Sequence, residues 1–139
     1  MKRDLKFLED KLWQERVLGV LLYGSHARGE ASPRSDIDLC IVAPEVADSD
    51  LPALWREFIS NLRDDRYDVH IFEMLPLHLK MAVIEEGMVI SSRDRLELYE
   101  YFYPFRREWD DQKHRQSVSR EEMMDLIRTG NKGRTASRM

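Results

Sequence analysis

The amino-acid sequence predicts an α/β (α+β) fold in which a small mixed β-sheet is flanked by helices. Short apolar runs of strand length alternate along the chain with longer stretches whose apolar residues recur at helical spacing. The 139 residues are about one domain's length, and 42% of them are apolar, which is enough for one packed core. Alternation of this kind is typical of helices packed against a sheet.

The first half of the chain predicts two helices and two strands. Residues 3–15 carry apolar side chains at helical spacing, and residues 17–23 form a branched, apolar run that a glycine ends. Residues 24–35 are rich in Gly, Ser, Pro and Arg and have no apolar period, so a loop is expected there. Residues 36–42 predict a central strand, and the apolar stripe in residues 51–62 predicts the second helix.

The second half predicts one more strand and two further helices. Residues 67–72 are strand-like, and residues 75–86 have a helical pattern that a glycine is expected to end. After a brief apolar stretch at residues 88–90, residues 94–116 form a long helical segment rich in aromatic side chains. Pro104 lies within this segment, where we expect a kink or a break because proline lacks a backbone N–H.

These patterns divide the chain into two segments. Residues 1–103 are predicted to form the globular domain, and residues 104–139 a helical C-terminal extension with a basic tail. The aromatic side chains between residues 98 and 109 are too numerous for one buried helix face. We therefore expect part of them to pack on the sheet and the rest to form an exposed apolar patch, which is typical of a partner surface.

Composition restricts the class of protein. The longest apolar run, residues 17–23, is too short to span a membrane, and the N-terminus lacks the apolar region of a signal peptide. The single cysteine, Cys40, excludes a disulfide within the chain, so a cytoplasmic location is expected. A formal net charge of −4 argues against broad, sequence-independent binding of nucleic acid across the whole surface, so nucleic acid is not expected as a direct ligand, although a local basic groove stays open.

The chemistry is concentrated in the loop after the first predicted strand. Gly24 and Ser25 directly follow a buried run, and a turn there leaves backbone N–H groups free to approach a polyphosphate. Ser25 adds a hydroxyl donor, and Arg28 or Arg34 is available to offset phosphate charge. The loop therefore predicts a phosphate-binding turn.

Two carboxylates begin the next predicted strand. Asp36 and Asp38 are two residues apart, so both are expected on the same face of the strand. Paired carboxylates repel each other unless a cation lies between them, and Mg²⁺ is typically held by one or two carboxylates together with substrate phosphates. A phosphate cradle beside a metal-binding pair predicts phosphoryl or nucleotidyl transfer.

These residues resemble the DNA polymerase β-like nucleotidyltransferase superfamily, in particular its minimal nucleotidyltransferases. The superfamily pattern is Gly-Ser, a loop of about ten residues, Asp-x-Asp, and a third Asp on a later strand. The resemblance covers roughly residues 17–90 and implies a nucleotidyltransferase fold, with nucleotide bound by the first motif and its flanking residues. The matching positions are Gly24, Ser25, Asp36 and Asp38, together with Ala27, Arg28, Gly29 and Ser35 of the fuller prokaryotic form.

The third carboxylate is assigned to Asp68, which begins the third predicted strand where the pattern places it. Asp64 and Asp65 are close alternatives, although both suit a turn better. His70 shares a strand face with Asp68 and would line the site, but a structural role is favoured for it. Glu73, at the far end of the strand, is expected to be a surface residue.

The resemblance also implies a function. Asp36, Asp38 and Asp68 would be catalytic and would hold two Mg²⁺ or Mn²⁺ ions, with Asp68 as a metal ligand or general base and ATP as the donor. Minimal nucleotidyltransferases often partner HEPN-domain toxins, so transfer of AMP to a tyrosine of such a toxin is implied, with contact through the aromatic C-terminal helix. The alternatives are a small-molecule nucleotidyltransferase of the aminoglycoside type and a non-catalytic antitoxin. Base preference and homo-oligomerisation stay open.

Overall fold

The computed structural model of the protein describes residues 6–9, 13, 16–30 and 36–138. The described residues form four strands and three α-helices, with short 3₁₀ turns between some of them. In chain order these are β1 (Gly19–Tyr23), β2 (Ile37–Val42), α1 (Leu51–Ser60), β3 (Tyr67–Ile71), α2 (Leu77–Glu86), β4 (Met88–Ser92) and α3 (Arg95–Arg138).

The four strands form one mixed sheet in the order β3-β2-β1-β4. The central strand β1 is antiparallel to both β2 and β4, whereas β2 and β3 are parallel. The parallel pair is joined through α1, as a crossover between parallel strands requires. The prediction of a small mixed sheet flanked by helices is confirmed.

The apolar core on one face of the sheet includes α1. Leu54 and Phe58 of this helix are buried in one cluster with alternate residues of β2, among them Leu39 and Ile41. Burial of each such side chain stabilises the fold by roughly 1.5–3 kcal/mol. Because side chains alternate along a strand, the intervening residue Asp38 is placed on the other face of β2.

The helix α2 contacts the central strand β1. Leu98, in the first turns of α3, is fully buried and lies close to Gly19 of β1. Phe102, one turn further along, is also buried and packs against Phe72, with 5.1 Å between the ring centroids. Because Gly19 alternates with Val20, which belongs to the core cluster around α1, the first turns of α3 pack on the face of the sheet opposite to α1.

Two expectations about the elements differ from the structure, and a third lies largely outside the described residues. Residues 88–90, for which the sequence predicts only a brief apolar stretch, belong to the edge strand β4. The helix does not break at Pro104, because α3 runs from Arg95 to Arg138 and the Phe102 and Phe105 rings both pack against Phe72 across the proline. The predicted first helix, residues 3–15, lies largely outside the described residues; within that range Lys6–Glu9 form a 3₁₀ turn and Trp13 is helical.

The chain divides into two compact units, Met1–Phe105 and Arg106–Met139. In the second unit the helix continues through the residues predicted as a basic tail, as far as Arg138. The described side chains of this unit include exposed Met123 and Ile127, and Lys113 lies over the ring of Trp109. Within the part of the chain that the structure describes, none of the helices combines the length and apolarity needed to cross a membrane.

Candidate active site

The turn after β1 brings the backbone close to a carboxylate. Gly24 has φ of +73°, a conformation that L-residues rarely adopt, and a Cβ added there would overlap Oδ2 of Asp38. The turn is closed by backbone hydrogen bonds from Arg28 N–H to the Gly24 carbonyl, 3.1 Å, and from Glu30 N–H to the Ser25 carbonyl, 2.9 Å. Two independent features therefore favour glycine at position 24: its positive φ angle and the nearby Asp38 carboxylate.

Three polar side chains lie in one row across three neighbouring strands. Asp38 of β2 is the register partner of Tyr23 on β1 and of Asp68 on β3. Since paired residues of adjacent strands project from the same face of a sheet, the row forms a single polar strip beside the Gly24 turn. Its two carboxylates, Asp38 and Asp68, are brought together as the sequence predicts.

A histidine joins the two carboxylates. Asp38, Asp68 and His70 each offer a ligand atom, and these three atoms all lie within 4.8 Å of one another. His70 Nε2 is 3.1 Å from Asp68 Oδ2. The Tyr23 ring packs edge-on against the imidazole, with 6.0 Å between the ring centroids. Two oxygen donors and one nitrogen donor at this spacing fit the ligand set of a divalent cation.

The electrostatics of the strip disfavour uncompensated negative charge. Burial, followed by the charge of Asp68, raises the pKa of Asp38 above its ordinary value, whereas His70 opposes the rise. Burial, with smaller contributions from Cys40, Asp38 and Asp68, raises the pKa of the Tyr23 hydroxyl far above its ordinary value. Tyr23 is therefore a neutral side chain at any working pH, and a cation would relieve the repulsion at Asp38.

The remaining predicted site residues are placed less centrally. Asp36 precedes β2 and is exposed, and it is not part of the three-ligand group, although its charge contributes to the raised pKa of Asp38. Ser25 is half-buried in the turn. Arg28 is exposed and forms ion pairs with Glu30 and with Glu86 of α2. The predicted Ser35, like Arg34, lies outside the described residues.

The alternatives for the third carboxylate have other partners or positions. Asp64 accepts hydrogen bonds from Arg66, which lower its pKa to about 2. Asp65 is exposed in the same turn. Of the three aspartates near the start of β3, Asp68 is the one that lies beside Asp38.

The expectation that Glu73 is a surface residue is wrong. Its carboxylate is half-buried and accepts a hydrogen bond of 2.8 Å from the Ala43 N–H and another of 2.8 Å from the Tyr101 hydroxyl. Burial raises the pKa of Glu73 despite these two bonds, which lower it. Its partner Tyr101 lies on α3, so local sequence around Glu73 carries no signal for the contact.

An apolar groove of about 290 Å³ lies beside the strip. It follows the edge strand β3 and is shared with the site through His70, which is one of its lining residues. Trp55 of α1 also lines it and donates a hydrogen bond of 2.8 Å from its indole N–H to the Val69 carbonyl. The lining residues are Pro52, Trp55, Val69, His70, Ile71, Met74 and Leu75.

This combination of a glycine turn, paired carboxylates and mixed sheet defines the chain as a nucleotidyltransferase. Residues 6–96 match the family model described as polymerase beta, nucleotidyltransferase. A Methanocaldococcus jannaschii protein named "Putative protein adenylyltransferase MJ1547" is 43% identical over 100 residues, which cover 72% of this chain and 75% of that relative. The chain belongs to the polymerase β nucleotidyltransferase family, and the resemblance found in the sequence is confirmed.

Solved structures share the fold. A chain in the crystal structure of a toxin-antitoxin with AMP-PNP superimposes with a TM-score of 0.63 at 19% identity, covering 88% of this chain and 97% of that one. A chain in a structure of a tri-AMPylated Shewanella oneidensis HEPN toxin in complex with MNT antitoxin gives a TM-score of 0.57 at 16% identity, covering 87% and 96%. At these identities the likeness shows the fold.

Proposed function

We propose that this nucleotidyltransferase moves AMP from ATP to a tyrosine hydroxyl of a partner protein, as an antitoxin that modifies a HEPN-type toxin. The observation that carries the proposal is the placement of Asp38 and Asp68 side by side next to the Gly24 turn. The relative named as a protein adenylyltransferase and the toxin–antitoxin complexes that share the fold support the choice of acceptor.

The donor side of the site is the turn after β1. Gly24 lets the backbone lie against the Asp38 carboxylate, and the half-buried residue Ser25 follows it. We assign ATP binding to these two residues together with Arg28 and Ser35. A divalent cation, Mg²⁺ or Mn²⁺, held by Asp36, Asp38 and Asp68 would supply positive charge against the triphosphate.

The transfer is a displacement at the α-phosphorus. The acceptor oxygen forms a bond to that phosphorus while the bond to the bridging oxygen breaks, and pyrophosphate leaves with the electron pair. The acceptor's proton passes to Asp68, which is more exposed than Asp38 and lies on the edge strand. Positioning of the two reactants and neutralisation of charge supply the rate enhancement.

The acceptor side is suited to an aromatic hydroxyl on a protein. The groove along β3 is apolar, and one of its lining residues is His70, which lies next to the carboxylates. On α3 the exposed residues Leu96, Tyr99 and Tyr103 recur at helical spacing and share one face, with 66%, 50% and 59% of their surfaces accessible. We assign partner contact to this surface, which we call the α3 tyrosine face.

The test is transfer of label from α-³²P ATP to the partner in the presence of Mg²⁺ or Mn²⁺. Unaltered protein should label the partner, and Asp38→Asn and Asp68→Asn should not, while Asp36→Asn reports the contribution of the exposed carboxylate. Asp65→Asn, which removes an exposed carboxylate in the turn before β3, is the matched control and should label normally.

Three other outcomes would each contradict the proposal. If the Asp38→Asn and Asp68→Asn variants labelled the partner as well as the unaltered protein does, transfer would not use the assigned site. A stable complex that suppresses the partner without label, even in chelator, would identify a binding module. Label on an added small molecule but never on protein would identify the small-molecule class.

A further inference from the structure

His70 gives the candidate metal site a nitrogen donor. The motif that identifies the family supplies carboxylates alone, at positions 36, 38 and 68. In the structure the imidazole lies with Asp38 and Asp68 in one group of potential ligands. The exposed carboxylate of Asp36 is not in that group.

The position of His70 follows from the strand that carries it. It is two residues after Asp68 on β3, so the two side chains project from the same face. Its register partner on β2 is Cys40, two residues after Asp38, so the same offset separates the imidazole from both carboxylates along the sheet. The Tyr23 ring packs edge-on against the imidazole.

We infer that His70 is a metal ligand beside Asp38 and Asp68, and that its imidazole makes the site bind first-row transition cations such as Mn²⁺ in preference to Mg²⁺. Mg²⁺ takes oxygen ligands almost exclusively and gives up water reluctantly, whereas imidazole binds transition cations well. The inference rests on the proposed function, because both assign Asp38 and Asp68 to the catalytic cation.

A purely structural role for His70 makes a different prediction. The contact between His70 Nε2 and Asp68 Oδ2 would by itself only orient the carboxylate. Oxygen atoms alone would then coordinate the metal. A ligating imidazole must instead be neutral and present a lone pair to the cation, which couples its ¹⁴N nucleus to the electron spin of bound Mn²⁺. Electron spin-echo envelope modulation of Mn²⁺ detects this coupling directly.

The experiment uses the full chain without nucleotide, because adenine nitrogen can also couple to Mn²⁺. Mn²⁺ affinity is measured from the free-ion EPR signal, Mg²⁺ affinity by competition, and ligation by spin-echo modulation. The variant His70→Gln is compared with two matched controls, His26→Gln in the Gly24 turn and His78→Gln on the exposed side of α2. Circular dichroism checks the fold, and His70→Asn provides a second variant.

The expected result is ¹⁴N modulation in the unaltered protein and in both controls, and its loss in His70→Gln. That variant should bind Mn²⁺ about tenfold more weakly, as loss of a metal-site partner typically causes. Its Mg²⁺ affinity should change less than about threefold, since water replaces the imidazole. Absence of modulation in unaltered protein, or its loss in His26→Gln instead, would overturn the inference whatever the folding of the His70 variants.

The labelling assay separates this inference from the proposed function. Transfer of AMP to the partner without any imidazole coupling would overturn the role of His70 and leave the proposed function standing. Imidazole coupling with no transfer to any protein partner would overturn the proposed function while keeping His70 as a ligand.

Discussion

Asp38 and Asp68 are register partners on the parallel strands β2 and β3, so two carboxylates from distant parts of the chain lie side by side, one strand spacing apart. Burial of Asp38 and the charge of Asp68 together raise the pKa of Asp38. The fold therefore holds a repulsive pair in place, which is a cost that the unliganded protein bears and that a bound cation removes.

Replacement of Asp38 by Asn should separate activity from stability. We expect Asp38→Asn to lower transfer more than about 100-fold, because a ligand at the reacting centre is lost. A raised pKa means that the ionised carboxylate disfavours folding at neutral pH, so in chelator the variant should unfold at the same temperature as the unaltered protein or higher. A clearly lower midpoint in calorimetry would show that Asp38 stabilises the fold instead.

The two glycines of the turn provide a matched pair. Gly24 and Gly29 both have φ of +73°, but a Cβ at Gly29 would meet nothing within 4 Å. Gly29→Ala should therefore cost about 1–2 kcal/mol of stability through its backbone alone and keep transfer activity. Gly24→Ala should cost more and abolish transfer, because its methyl group displaces the Asp38 carboxylate. Equal effects in chemical denaturation and in labelling would contradict the close approach.

The hydrogen bond from Tyr101 to Glu73 ties α3 to the end of β3. Tyr101→Phe should destabilise the protein by about 1.5 kcal/mol, because a half-buried carboxylate loses a donor while the ring packing is kept. Tyr103→Phe removes an exposed hydroxyl from the same helix and should be neutral. Urea unfolding of the two variants measures the difference, and equal midpoints would argue against the bond.

Glu73 should also leave a signature in the pH dependence of stability. Burial raises the pKa of Glu73 above its ordinary value of 4.5. The contribution of Glu73 to the free energy of unfolding is therefore fully present below pH 4.5 and is lost as the pH rises through the raised pKa. The stability of Glu73→Gln relative to the unaltered protein should therefore increase between about pH 4 and pH 7. Thermal unfolding across this range tests the sign, and a relative decrease would refute it.

The central elements were predictable because their apolar periods are strong. The runs that became β1 and β2 are almost wholly apolar, and the stripe of α1 repeats at helical spacing, so local sequence determines them. The edge strand β4 was missed as a strand, since Met88–Ser92 is only partly buried and ends in two serines. Its pairing with β1 depends on the register of a distant strand.

In the candidate site, too, features set by local sequence were predictable and features that depend on distant elements were not. Gly24 and Asp38 were predicted from a motif on a strand–loop–strand unit, which encodes its own geometry, and Asp68 was predicted from the family resemblance. Glu73 was misjudged, since its burial depends on Tyr101, which reaches it from another element. His70 was placed on the correct face by its offset from Asp68, but periodicity cannot show that the imidazole lies within reach of Asp38.

The α3 tyrosine face should be needed for the partner and not for the fold. Tyr99→Ala and Tyr103→Ala remove exposed aromatic side chains, which often dominate protein interfaces, so each should weaken partner binding about tenfold or more. Met88→Ala removes a comparably exposed apolar side chain from β4 and should bind normally. Isothermal titration with the partner compares them, and unchanged affinity in both tyrosine variants would place the interface elsewhere.

The bond from the Trp55 indole to the Val69 carbonyl affects how this molecule behaves at high concentration. The strand β3 is an outer strand of the sheet, and unpaired backbone groups on such strands recruit strands from other molecules. A foreign strand that added at Val69 would have to displace the indole N–H from that carbonyl. The Trp55 side chain thus blocks strand addition at this point of the β3 edge, and the neighbouring groove stays open to a ligand.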